Sequence, residues 1–306
     1  MKRLILLTTY IIILGSIYPL VAQTPTDNLM MEKGQICIAA LYSHDTWNEY
    51  WEGTLKRDNQ NVGTLTRQTA MPMLALGLIK RVNVIVALPW VSTEASGGQV
   101  AGANGIQDFG IWIKATALDK TIGVSRLTLH GVAGFSAPAS NYLPDYAPFN
   151  LGFGCTEGSL RGILQYQIGN GPFIRAQGGY HLRGHSTIER DYYYTDKGYY
   201  TDKVNMPNAI TYGAVLGTWL FNRSFKIEAT YDGLNTLGGH DIRRQDVGFP
   251  SNKMIFTRIG GGLQYFFPTI KGLGVLANGS YILTGRNVGQ STMITGGITY
   301  QFGIWK

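Results

Sequence analysis

Cysteine is scarce in this chain: Cys37 and Cys155 are the only two in 306 residues. That excludes a disulfide-stapled scaffold and a cysteine-rich metal centre. A single bridge between the two stays open. Charge is thin as well, at 15% of residues, against about 25% in ordinary globular domains. The five histidines never fall at metal-ligand spacing. There is no Walker sequence, no G-x-S-x-G and no H-E-x-x-H, so neither a cofactor nor an enzyme is expected. Beyond residue 22 no stretch approaches 18 consecutive apolar residues, which excludes a transmembrane helix there. The net charge of +7 is dispersed along the chain rather than clustered, a poor match to nucleic-acid binding.

What is present is apolar, aromatic and glycine-rich. Hydrophobic residues make up 44% and aromatics 12%, with 40 glycines and 18 tyrosines. A disordered chain cannot carry that content. Residues 1–22 read as a secretory signal peptide. Lys2 and Arg3 open it, an apolar run follows from Leu4 to about Gly15, and small Ala22 precedes Gln23. Residues 23–32 then form a short periplasmic N-terminal segment, and 33–306 one domain.

That domain alternates with period two. Ile174, Ala176, Gly178, Tyr180 and Leu182 alternate with Arg175, Gln177, Gly179, His181 and Arg183. The runs 124–135, 225–232 and 292–302 repeat the pattern. This spacing predicts twelve strands, at 33–44, 64–78, 81–93, 106–117, 124–136, 156–168, 172–184, 208–220, 223–235, 253–266, 272–284 and 292–302. They are long for soluble strands and suit tilted membrane strands of about 9–11 residues. Short and long connections alternate, as periplasmic turns and extracellular loops do, apart from a short last hairpin near 285–291. Tyr42, Trp90, Tyr166, Tyr180, Tyr212, Tyr231, Tyr265, Phe266, Tyr281, Tyr300 and Phe302 lie near strand ends, as girdle aromatics do. The expected fold is all-β: a transmembrane antiparallel up-and-down β-barrel in the outer membrane, its lipid the first partner.

If the apolar face meets lipid, the other face lines a lumen. It carries Arg67, Asp108, Lys114, Arg126, His130, Arg161, Arg175, His181, Arg183, Lys226, Glu228, Asp232 and Arg258. Two readings stand: an ion-pair network bracing the wall, or a cationic constriction favouring anionic solutes such as aromatic carboxylates. Residues 191–204 hold a duplicated tyrosine motif with Tyr192, Tyr193, Tyr194, Tyr199 and Tyr200. These fit either a binding surface in an extracellular loop or the plain extension of two adjacent strands.

The segments LIKRVNVIVALPWVS (78–92) and GIQDFGIWIKA (105–115) pair a strand ending in Leu-Pro with a Gly-x-x-Asp…Lys strand. The pair resembles the outer-membrane barrel family named after the meta-pathway of phenol degradation, itself distantly similar to long-chain fatty-acid transport barrels. The resemblance would span about residues 30–302. It implies a channel for small aromatic or hydrophobic compounds. With only Gln23–Glu32 ahead of the first strand, the hatch of the fatty-acid transporters is not expected. The functional expectation is a passive channel or facilitated transporter of small solutes. The alternatives are a plugged interaction barrel presenting loops 45–63, 185–207 and 236–252 and, last, a lipid enzyme. His185 and Ser186 are adjacent, so on a strand they face opposite ways and make a poor catalytic pair.

Overall fold

The computed structural model describes residues 23–242 and 252–304. The proposed signal peptide, part of loop 236–252 and the final Trp305-Lys306 lie outside the described residues. Twelve antiparallel strands close a barrel: β1 Gln35–Trp47, β2 Leu65–Ile79, β3 Val82–Ala87 resuming at Trp90–Ala95, β4 Asp108–Ile122 preceded by Asn104–Ile106, β5 Ser125–Pro138 and β6 Glu157–Ile168. The second half comprises β7 Pro172–Arg183, β8 Ala209–Leu220, β9 Phe225–Thr236, β10 Ile255–Phe266, β11 Leu273–Arg286 and β12 Thr292–Gly303. Each strand pairs with its chain neighbours. The seam closes where β1 meets both β12, through Gln35↔Gly303, and β2, through Ile36↔Leu76. Closure leaves no free sheet edge, the condition a barrel must meet in lipid.

The third strand is interrupted at Leu88-Pro89. Pro89 has no N–H to give, and the pairing register shifts by one across it, from Ala87↔Gly110 to Trp90↔Ile106. Gln107 N donates to Pro89 O at 2.9 Å across the break. Against β2 the register is the same on both sides of this break, Met73↔Ala87 and Ala70↔Trp90.

Period-two alternation sorts the residues by face. Ile38, Leu74, Ile113, Leu164, Leu216 and Ile298 point outward and stay between 41% and 61% exposed. An apolar surface this extensive demands an apolar surrounding. Tyr42, Trp90, Tyr166, Tyr180, Tyr212, Tyr231, Tyr281, Tyr300 and Phe302 are exposed among them. Phe266 is not. Its even position on β10 turns it inward, where it is 2% exposed and stacks on Trp219 with ring centroids 6.3 Å apart.

The interior changes around the barrel. Arg161 on β6, Arg175 on β7 and Lys226 on β9 reach inward. From β10 round to β1 several inward positions are small, Gly260 and Gly262 on β10, Gly297 on β12, Ala39 and Ser43 on β1, set among the longer Arg258, Leu276 and Leu41. A Cβ at Gly262 would collide with Asn278 Oδ1, and one at Gly297 with the Leu41 side chain.

Candidate functional site

Residues 23–32 are not a tail outside the barrel. They fold into the lumen from the short-turn end, where both chain ends lie. The sequence marks the path at Gly77: a side chain there would collide with the Glu32 carbonyl. Lys114, on the inner face of β4 and fully buried, holds the segment. Its Nζ donates to Asp27 Oδ1 at 2.8 Å, to Asp27 O at 2.6 Å and to Thr24 O at 3.2 Å. Asp27 also accepts from Leu29 N at 2.8 Å and from the Thr24 hydroxyl at 2.8 Å. Thr128 donates to Asn28 Oδ1 at 2.8 Å. Leu29 and Met31 join an apolar cluster with Cys37, Met73, Ile85, Phe173, Trp219 and Phe266. Polar anchoring and apolar burial thus both fix the segment.

The segment divides the lumen into two chambers. An inner chamber of about 840 Å³ at the short-turn end is lined by Asn28–Lys33 and by His130, Gln167, Phe173 and Trp219 among others. An outer chamber of about 710 Å³ toward the long loops is lined by Gln23, Thr24 and Asp27 from the segment, and by Arg67, Arg161 and Arg258 from the wall. Arg175 and Lys226 line both.

The residues expected on the inner face sort into three groups. Most are braced. Arg258 pairs with Asp232 at 2.8 Å, Lys226 and Arg175 share Glu228 at 3.2 and 3.4 Å, and Arg183 and His181 share Glu157 at 2.8 and 2.7 Å. Arg126 forks onto Asp119 at the short-turn rim, both bonds 2.7 Å. A second group keeps no carboxylate within ion-pair distance among the described residues. Arg161 donates to Gln177 Oε1 at 3.2 Å, and Arg67 to the carbonyls of Asn150 and Leu151. The third group is withdrawn from any solute. Lys114 is consumed by Asp27, and Asp108 by the Tyr142 hydroxyl. His130 is buried beside Thr116, whose hydroxyl lies 3.1 Å from Nδ1.

Loop 139–156 explains the Asp108 contact. It dips against inward residues of β2 and β3, where Thr93 donates to Phe149 O at 2.8 Å, and Phe149 and Leu151 are buried. Burial, and then the hydrogen bond to Asp108, push the Tyr142 hydroxyl well above its ordinary pKa. Cys155, at the end of this loop, is buried and free, as is Cys37, so no bridge joins them. Burial pushes its thiol up to about 12.

The tyrosine segment forms a stepped hairpin above the barrel. His185–Thr187 pairs with Lys203–Asn205, and Tyr193–Tyr194 with Gly198–Tyr199. Tyr193 is buried and stacks on Tyr199 at 4.9 Å, whereas Tyr192, Tyr194 and Tyr200 face outward. Two of the five rings therefore hold the hairpin together and three are exposed. The sequence reading missed Thr24, Asp27 and the Phe149–Leu151 stretch.

No protein-family model matches the chain, and no curated protein matches it in sequence. Among solved structures, an outer-membrane channel from Pseudomonas putida F1 superposes with a TM-score of 0.68 at 16% identity, covering 92% of this chain and 100% of that one. The translocator domain of the autotransporter NalP from Neisseria meningitidis gives 0.45 at 12% identity, covering 99% of this chain and 94% of that one. The first likeness is one of fold. This chain has the barrel fold of an outer-membrane channel.

Proposed function

We propose that this chain is an outer-membrane channel through which small molecules pass by diffusion, the short turns facing the periplasm and the long loops the exterior. The observation that carries the reading is a lumen narrowed rather than filled. Two chambers of about 840 and 710 Å³ meet across one ten-residue segment and share the Arg175 and Lys226 side chains. The outward apolar band and its exposed aromatics fit a bilayer. The fold shared with the Pseudomonas putida channel supports the same reading. Residues 1–22 serve as the cleaved export signal in this account. The solutes are small aromatic, hydrophobic or anionic molecules: the resemblance at residues 78–115 favours the first two, and the surplus of inward arginines the third.

Single-channel recording of the refolded chain in planar bilayers tests the proposal. Defined conductance steps support it. A folded barrel that stays silent refutes it and favours the second reading, a plugged barrel acting through its loops. The lodged N-terminal segment and the ordered tyrosine hairpin are what recommend that second reading.

A further inference from the structure

The two chambers differ in charge. In the outer chamber five basic side chains stand against four acidic ones. In the inner chamber, at the short-turn end, seven basic side chains stand against two acidic ones, Glu32 and Asp119. Three of the seven are paired: Arg126 with Asp119, and Arg175 and Lys226 with Glu228. Lys33, Lys80, Arg81 and Arg223 remain. Among the described residues none of these four has a carboxylate within ion-pair distance.

None of the four belongs to the alternating inner face of the wall. Lys33 precedes β1, Lys80 and Arg81 form the β2–β3 turn, and Arg223 lies in the β8–β9 turn. Both arginines hold left-handed backbone, with φ of 67° at Arg81 and 66° at Arg223. Glycine takes that conformation freely, and long side chains rarely do. Two turns thus carry a guanidinium where backbone geometry alone favours glycine. The Trp219 ring, 5.3 Å from the Arg223 guanidinium carbon, fixes that cation at the rim. Burial, and then the like charge of Arg126, lower the Arg223 pKa. Lys33, Lys80 and Arg81 are exposed, open to any ion that approaches.

We propose that this short-turn mouth is the charge filter of the lumen, where Lys33, Lys80, Arg81 and Arg223 gather small anions and hold back cations. The inference rests on the lumen being a solute path. It places the choice of charge at the rim, ahead of the wall on which most cations are braced by carboxylates. Such a filter reads charge and not outline, so inorganic anions are selected as readily as organic ones. A cleft lined by one sign of charge focuses its field, and a potential of about 1 kT already enriches a monovalent anion over a monovalent cation roughly sevenfold. Exposed charges act over about 10 Å at 0.1 M salt and about 3 Å at 1 M, so the preference belongs to dilute salt.

Two measurements test this. In planar bilayers under a KCl gradient, the reversal potential should show chloride preferred over potassium about fivefold to tenfold near 0.1 M, fading toward equality at 1 M. Replacing the four together, by Lys33→Gln, Lys80→Gln, Arg81→Asn and Arg223→Asn, should remove most of that preference; asparagine suits the left-handed positions. Arg161→Gln, in the outer chamber, should leave most of it. The second measurement needs neither current nor the loss of a rim cation. Met30 lines the inner chamber, and Cys37 and Cys155 are buried. In the folded chain, Met30→Cys should react faster with an anionic methanethiosulfonate than with a cationic one, by a similar factor relative to a free thiol. Salt at 1 M should level the two rates. Equal rates in dilute salt overturn the proposal. A preference that survives the fourfold variant, or 1 M salt, belongs to the buried cations and overturns the mouth. Current without anion preference sinks only this inference. A silent barrel in which Met30→Cys still favours the anionic reagent sinks only the channel.

Discussion

Replacing Lys114 by methionine tests what keeps the N-terminal segment in the lumen. The Nζ of Lys114 reaches three oxygens of Thr24 and Asp27 within 3.2 Å, in a fully buried setting. Methionine fills much of the same volume and returns none of those bonds. Removing one partner of a buried ion pair costs about 3–5 kcal/mol, because the other charge is left uncompensated. Here Asp27 keeps its bonds from Leu29 N and the Thr24 hydroxyl, which places the cost near the lower figure. About 3 kcal/mol moves the docked-to-released equilibrium of the segment by roughly 150-fold. The expected result is a larger unitary conductance and faster hydrogen exchange at the Leu29 N–H, with the barrel still folded by its heat-dependent gel mobility. Adding Asp27→Asn to the same chain removes the stranded charge and should restore most of the wild-type behaviour, since replacing both partners is nearly neutral. Wild-type conductance together with wild-type protection at Leu29 in the single variant would refute the argument.

Other expectations follow from single contacts. Arg286 forks onto Asp241 with bonds of 2.7 and 2.6 Å, and this pairing, with help from Asn287, holds the Asp241 carboxyl at about 2. A depressed folded pKa means the contribution is whole above the ordinary value of about 3.9 and fades as pH falls toward 2. Exchange protection at the Ile242 N–H, which donates to Asn287 Oδ1, should therefore be flat above about pH 5 and drop below pH 4, and Arg286→Gln should remove the drop. Tyr193→Ala empties a buried, stacked position and should loosen hairpin 185–207 by about 3 kcal/mol. Tyr200→Ala, at a ring 92% exposed, should stay within about 0.5 kcal/mol. Limited proteolysis of the loop separates them. Cys155, with its thiol pushed up to about 12 by burial, should resist maleimide at pH 8 in the folded barrel and react once unfolded.

The wall was legible in the sequence because its signal is local. Twelve runs of alternating residues give the strands to within a few positions, and the expected 81–93 differs only where Pro89 interrupts the ladder. Phe266 shows where parity was overruled by proximity. Tyr265 and Phe266 are neighbours, so they cannot both face outward, and β10 sends Phe266 inside. The contents of the lumen were not legible. Residues 23–32 carry no period, and their key contact joins Asp27 to Lys114 across 87 positions. Nothing in a ten-residue stretch announces a partner that distant. The same holds for loop 139–156, whose backbone oxygens are met by Arg67 and Thr93. The tyrosine duplication was legible as a hairpin, and burial alone decided which rings turn inward.

From β10 to β1 the inward face mixes small residues with longer ones, while the inward cations Arg161 and Arg175 stand on β6 and β7. Arg161, Arg175 and Lys226 put positive charge on β6, β7 and β9. Gly262, Ser43 and Thr295 line the outer chamber with backbone and short hydroxyls, beside the longer Arg258, Leu276 and Leu41. In the proposed channel, these short positions would leave room for a solute's outline, and its charge would be met at Arg161, Arg175 and Lys226. Room and charge thus lie largely on different strands of one wall, with Arg258, paired to Asp232, the place where they meet.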